Sequence, residues 1–358
     1  MKTITTTNFV KFLVFTAIVL INFNAFAQEE ETKKFNISGS VDAYYRANFS
    51  DEQNQAPASS FANLPGFSLG MANIIASYEG EKVGAVADLV FGPRGTDAVF
   101  ASPFYSHTGD IINQLYVYWN VTSDVKLTFG NFNTFLGYEV ISPTGNFNYS
   151  TSYMFSYGPF SHTGLKADFA LTEKLSLMLA VMNPTDYTET NVAGVYTWGA
   201  QLGYAGDKGS TYLNFIYGKQ SPDGIAINDN ATFQVDLTTG YNLTDDFYLG
   251  LNGTYNKTKD MSGFAGVALY PQLTLTESFG LGLRAEYFKE LSDGGVAYGP
   301  DVDTFEATLT GSYSVGNLTI KPELRLDSSS EDVFYKKGNA MPTEGSLASF
   351  LLAAVYSF

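Results

Sequence analysis

The sequence predicts an all-β protein: a closed antiparallel transmembrane β-barrel of about sixteen strands, after a cleaved signal peptide. Three observations carry that prediction. Side chains alternate apolar and polar with a period of two over segments of roughly ten residues, such segments recur to the end of the chain, and their connections alternate between short and long. Residues 231–257 show the unit most clearly. Phe233, Val235, Leu237 and Tyr241 fall on one face, with Gln234, Asp236 and Thr238 on the other. After Thr244-Asp245-Asp246 the pattern resumes, with Phe247, Leu249, Leu251 and Tyr255 opposite Tyr248, Asn252 and Thr254. Two such runs around a three-residue turn make an antiparallel hairpin. Aromatic rings at both ends of its apolar face, and a length of about 9–11 residues, suit a strand that crosses a bilayer.

In chain order, residues 1–27 read as the signal peptide. Lys2 and Lys11 are the only charges, Phe12–Ile21 is apolar, and Ala25-Phe26-Ala27 is a small-x-small cleavage site. Residues 28–34 form a short charged periplasmic lead, too brief for a folded plug, and the barrel is expected over 35–358. Its first strand places Phe35, Ile37, Val41 and Tyr45 outward, with Asp42, Tyr44, Arg46 and Asn48 inward. Fifteen further segments follow, near 66–79, 82–91, 111–121, 125–133, 163–171, 175–183, 195–205, 211–218, 231–243, 247–257, 264–275, 279–288, 304–314, 318–327 and 346–358. The 66–79 segment alternates least regularly and leaves fourteen or eighteen strands open. The short turns repeat an apolar-Thr-polar-polar-apolar pattern at Val121–Val125, Leu171–Leu175, Leu243–Phe247 and Leu275–Phe279. Short periplasmic turns and long outer loops are the rule in such barrels. The last segment ends with Tyr356 and Phe358 outward, the pattern of a C-terminal signal for the outer-membrane barrel-insertion machinery. A soluble β-sandwich would leave Trp119, Trp198, Tyr204 and Tyr313 on exposed apolar faces, which soluble proteins avoid.

Composition agrees. No later stretch approaches the twenty or so apolar residues of a spanning helix, and the longest, Phe350–Tyr356, has seven. Aromatic residues make up 15 % of the chain, glycines number 34, and cysteine is absent. The net charge, −16 overall and −18 once Lys2 and Lys11 depart, argues against nucleic acid as a partner. Among inward charges, the acids Asp42, Asp88, Asp168, Asp236, Glu286, Glu306 and Glu323 nearly balance Arg46, Lys126, Lys166, Arg284, Lys321 and Arg325. Most of the acidity therefore belongs to loops. Nine of these, Asp42, Arg46, Asp236, Arg284, Glu286, Glu306, Lys321, Glu323 and Arg325, are the pore-lining candidates. Those from residue 284 onward cluster on three consecutive strands, with Arg46 across the closure. They read either as a transverse field orienting dipolar solutes or as cross-strand ion pairs stiffening the wall.

The longest loop, 134–162, carries many aromatic residues and a single charge, Glu139. An aromatic, nearly uncharged loop fits poorly in open water. It is the candidate for folding back into the barrel and narrowing it, with Glu139, Asn146, Asn148, Tyr149, Tyr153 and His162 as constriction residues. The other reading is a surface loop packing on its neighbours or on a second copy.

Chemistry beyond a channel finds no constellation. His107 and His162 are the only histidines, and adjacent strand residues such as Ser161 and His162 point to opposite faces. His162 is expected in a loop, held by a backbone hydrogen bond. No metal-ligand spacing, cofactor motif or phosphate-binding loop is present.

The stretch 130–166 resembles the signature of the OmpL-like outer-membrane β-barrel porin family common in Bacteroidetes. The matching pieces are Gly130-x-Phe132-x-Thr134, Gly137-Tyr138-Glu139, Asn148-Tyr149-Ser150, Ser152-Tyr153 and Pro159-Phe160-x-His162-Thr163-Gly164. Thr151 stands where members usually carry a basic residue. The resemblance implies a passive diffusion channel. The expectation is thus an outer-membrane porin of a Gram-negative bacterium, not an enzyme, passing small hydrophilic solutes or ions. Lipid, lipopolysaccharide and the insertion machinery are the expected partners, and a homotrimer stays open as its assembly. The competing class is a barrel-anchored adhesin or assembly scaffold without significant transport.

Overall fold

The computed structural model describes residues 34–50, 52–100, 106–191, 194–220 and 231–358. The expected leader and nearly all of the lead lie outside them. Sixteen strands form one closed antiparallel barrel: β1 (Lys34–Asn48), β2 (Gly66–Glu79), β3 (Val83–Phe91), β4 (Ile112–Asn120), β5 (Val125–Asn133), β6 (Ser161–Ala170), β7 (Leu175–Met182), β8 (Thr197–Gly206), β9 (Gly209–Lys219), β10 (Ala231–Asn242), β11 (Phe247–Thr258), β12 (Gly263–Thr276), β13 (Phe279–Glu290), β14 (Asp303–Val315), β15 (Leu318–Ser329) and β16 (Ser346–Ser357). Each pairs with its sequence neighbours, and β1 closes on β16 with Ala43 opposite Ala354. Full closure leaves no unpaired edge in hydrocarbon, which no open sheet could tolerate. Among the described residues two short α-helices lie between strands, α1 (Pro93–Ala98) and α2 (Tyr153–Tyr157), besides one 3-10 turn at Gly109–Ile111.

The repeated turn pattern has a local cause. In Leu171–Leu175, the amides of Lys174 and Leu175 donate to the Thr172 hydroxyl (3.2 and 3.0 Å), while Leu171 and Thr172 donate to the Leu175 carbonyl. Phe247 donates likewise to the Thr244 hydroxyl at 3.0 Å. The threonine replaces turn hydrogen bonds that three residues cannot close alone.

The faces follow the alternation. Phe35, Trp119, Trp198, Leu237, Tyr313 and Tyr356 are outward and exposed, while Gln234, Asp236 and Asn252 are inward and buried. Phe358 caps the closure, exchanging backbone hydrogen bonds with Gly39 at 3.0 Å in both directions. The irregular 66–79 segment is a strand whose phase slips once. The β1–β2 register shifts between Val41 and Ala43, so Phe67 and Leu69 face outward before the slip and Ile74 after it in chain order. A bulge of this kind re-aims side chains without ending the strand.

Two strands break the simple rule. On β7 the inward residues Met178, Ala180 and Met182 are apolar and buried with Ile216. On β16 the inward Leu351, Ala353 and Val355 are buried with Tyr44 and Tyr149. A strand that is apolar on both faces has protein or lipid on both. In this barrel, protein occupies the inside.

Candidate functional site

Residues 134–160 run into the barrel and lie against its inner wall. The limb from Thr134 crosses the lumen. The Gln201 side chain of β8 donates to the Phe135 carbonyl (3.4 Å), the Gly137 amide donates to Asp236 of β10 (2.9 Å), and the Tyr138 hydroxyl donates to that of Tyr248 on β11 (2.9 Å). Tyr138 also stacks on Tyr270 of β12, with centroids 4.1 Å apart. The segment then turns across β13–β15. Lys321 donates to the carbonyls of Pro143 (2.9 Å) and Asn146 (2.5 Å), and the Asn148 side chain donates to Thr310 (2.6 Å). The amides of Tyr149 and Ser150 donate to Glu323, and the Tyr149 hydroxyl reaches across to Asp42 on β1. The amides of Tyr153 and Met154, at the start of α2, donate to the two oxygens of Glu286 at 2.7 Å each.

Arg284 is the centre of this seam. Its side chain has no exposed surface. It donates to Glu306 from Nε (2.8 Å) and Nη2 (3.2 Å), and from Nη1 to Glu139 (2.8 Å) and the Ser150 carbonyl (2.6 Å). Glu139 also accepts from the Ser152 amide at 2.8 Å, so both its oxygens are committed. Arg325 pairs with Asp327 at 2.8 Å and donates to the Thr151 carbonyl at 2.8 Å. The planar guanidinium fork lets Arg284 grip Glu306 through two nitrogens while the third reaches Glu139 and the Ser150 carbonyl, a bidentate geometry that a lysine ammonium does not offer.

Wall glycines form the sockets. A Cβ on Gly282 would lie on the Phe147 ring, one on Gly250 on the Tyr138 ring (2.6 Å), one on Gly266 on Met154 (2.6 Å), and one on Gly199 on the Phe135 ring (2.7 Å). Four inward glycines on four strands thus seat four side chains of one loop. Other segments cover it from the long-loop end. Arg94 of α1 donates to the carbonyls of Ile141 (2.8 Å) and Tyr149 (3.0 Å), and Phe61 stacks on Phe160.

The pore-lining candidates are all inward, and all but Arg46 look onto the loop. Asp42, Arg284, Glu286, Glu306, Lys321, Glu323 and Arg325 are at most 6 % exposed and hydrogen-bond to loop atoms or to one another. These groups meet the loop's backbone and one another's charges, not open water. Asp236 is committed to Gly137, Asn214 and Asn252, and Arg46 to Asn48 and Gln55. Among the constriction candidates, Asn146 bonds within the loop to Val140, and Tyr153 donates to Asp327 (2.8 Å). His162 departs from expectation. It opens β6 instead of lying in a loop, is fully buried, and its Nε2 bonds to the Thr134 hydroxyl (2.9 Å) instead of backbone. The sequence reading missed Asp327 and Glu290, although both continue the inward alternation of β15 and β13. It also missed Arg94 and the glycine sockets, and only the phase of the glycines could have signalled the latter.

Free volume lies beside and below the loop. A cavity of about 260 Å³ separates residues 133–141 from the wall at Gln201, Ser210, Tyr212, Thr238 and Tyr248. A second, of about 550 Å³, lies under Pro143–Phe147, and a third, of about 660 Å³, opens at the short-turn end beside Lys126, Asp168 and Gln201. Tyr138 and Tyr248 border both of the first two, and Gln201 borders the first and third. Among the described residues no cluster of His, Cys, Asp and Glu is arranged for a metal.

The family model described as "Putative beta-barrel porin-2, OmpL-like" matches residues 34–358. No curated protein matches the chain significantly. Solved structures share its architecture at low identity. An anion-selective porin from Comamonas acidovorans superposes with a TM-score of 0.62 at 11 % identity, covering 91 % of this chain and 100 % of that one. The outer membrane channel DcaP of Acinetobacter baumannii gives 0.59 at 14 %, covering 91 % and 97 %. The trimer form of OmpT from Vibrio cholerae gives 0.58 at 11 %, covering 91 % and 99 %.

Proposed function

The chain belongs to the OmpL-like β-barrel porin-2 family and is an integral outer-membrane porin; from that premise we propose that it is a narrow passive-diffusion channel whose solute cut-off is set by residues 134–162. One observation carries the reading: the loop is fixed by charge-assisted hydrogen bonds to four wall strands, β1, β10, β13 and β15, while cavities stay open beside it. Sixteen strands enclose a bore wide enough for water, and a structured loop inside it reduces the usable section. The role is transport, with no catalytic step. The outward Tyr356 and Phe358 are read as the insertion signal, and lipid and lipopolysaccharide as the surroundings. A homotrimer is the assembly, in keeping with a structural relative described in a trimer form. A Bacteroidetes host rests on the 130–166 motif alone.

Planar-bilayer recording of the refolded protein tests this. Discrete conductance steps, blocked only by small neutral polymers, are expected. A folded, inserted barrel without steps would favour the surface-anchor reading.

A further inference from the structure

The charges facing the lumen divide into two sets. Arg284, Arg325, Lys321 and their carboxylate partners are buried against the loop. The Lys166–Asp168 pair (3.4 Å) stays partly exposed, and Lys126 lies over the Tyr118 ring (4.2 Å). The 260 Å³ recess between them belongs to neither set. Its single ionisable acid, Glu139, is 4 % exposed and held by Arg284 and the Ser152 amide. What remains is neutral: the side chains of Gln201, Ser210 and Thr238, with the rings of Phe135, Tyr212 and Tyr248.

Resting on the channel reading above, we propose that this recess is a binding station for a neutral polyhydroxylated solute of monosaccharide size. Aromatic faces accept the C–H faces of such a ring, and amide and hydroxyl groups exchange hydrogen bonds with its hydroxyls. A volume of 260 Å³ accommodates on the order of ten water-sized groups, which suits one sugar ring and not a disaccharide. A charged analogue would find no free counter-charge: Glu139 is held by Arg284 and the Ser152 amide, and both oxygens of Asp236 are taken by Gly137, Asn214 and Asn252. Desolvating it there is unfavourable.

The test compares isosteric solutes in proteoliposomes holding the full-length mature protein. Swelling rates are measured with glucose, glucuronate and glucosamine, and in planar bilayers glucose is titrated against the ion current. Glucose entry about tenfold faster than either charged analogue, with saturable current block, is expected. Gln201→Leu should weaken that block several-fold. Equal rates for all three solutes, or a block unchanged in Gln201→Leu, would overturn the inference and leave the porin reading standing. A folded protein that passes neither ions nor sugar would overturn both.

Discussion

Replacing Arg284 with methionine removes the side chain on which the loop and wall converge. The substitution keeps length and apolar stem but deletes donors to Glu139, Glu306 and the Ser150 carbonyl, all fully or nearly fully buried. Removing one partner of a buried ion pair costs about 3–5 kcal/mol, because the remaining charge is left uncompensated. The β12–β13–β14 ladder does not use this side chain, so the barrel itself loses little. The cost is relieved most cheaply if residues 139–152 leave the wall and both carboxylates hydrate. About 3–5 kcal/mol shifts that seated-to-released equilibrium by roughly two to four powers of ten. Single-channel recording should show a larger and noisier conductance, with a higher polymer cut-off. Adding Glu139→Gln should partly restore the wild-type trace, since one stranded charge is gone. A folded Arg284→Met protein with wild-type conductance would refute the argument that this seam holds the constriction.

Three further outcomes follow from the same geometry. Gly282→Val should unseat Phe147 and raise conductance, whereas valine at the outward neighbour Leu283 should not; this is checked by recording both variants. Asp186 lies between β7 and β8, where burial raises its carboxyl to about 6 against hydrogen bonds from the Phe160 and Ser161 amides. Its protonated form is therefore favoured by the fold, so its contribution is complete below pH 4 and lost as pH rises through 6. Hydrogen exchange, corrected for intrinsic rates, should show residues 158–162 opening more readily at pH 7 than at pH 4, by up to about 3 kcal/mol, with no such dependence in Asp186→Asn. Leu237→Arg, on the outward face of β10, should lower unfolding free energy in vesicles by about 2–4 kcal/mol, and an unchanged denaturation midpoint would contradict its placement toward lipid.

Much of this fold was legible from period alone. All sixteen strands lie close to the segments read from alternation, because a wall with lipid on one side imposes apolar character on every second residue. The interior was legible only in part. Alternation assigned Arg284 and Glu323 to the inside but carries no information about what meets them there, since water and a folded loop both accept charged groups. The sequence did hold two traces of the loop's position. The apolar run Phe350–Tyr356 and the inward Met178 and Met182 make sense only if the inner face is also dry. Glycines 199, 250, 266 and 282 keep the inward phase, yet a glycine looks the same whether it admits a ring or merely lowers strand propensity. His162 was misplaced although Gly158-Pro159 stands just before β6 and marks where the strand could begin.

The most direct test removes Gly145–Ser156 and sizes the channel with neutral polymers beside the wild type. That deletion takes away Phe147, Tyr149 and Tyr153 together with the backbone amides bound by Glu286 and Glu323. A severalfold higher conductance and admission of polymers that the wild type excludes are predicted. Identical conductance and cut-off in the two barrels would mean that residues 134–162 do not govern the passage.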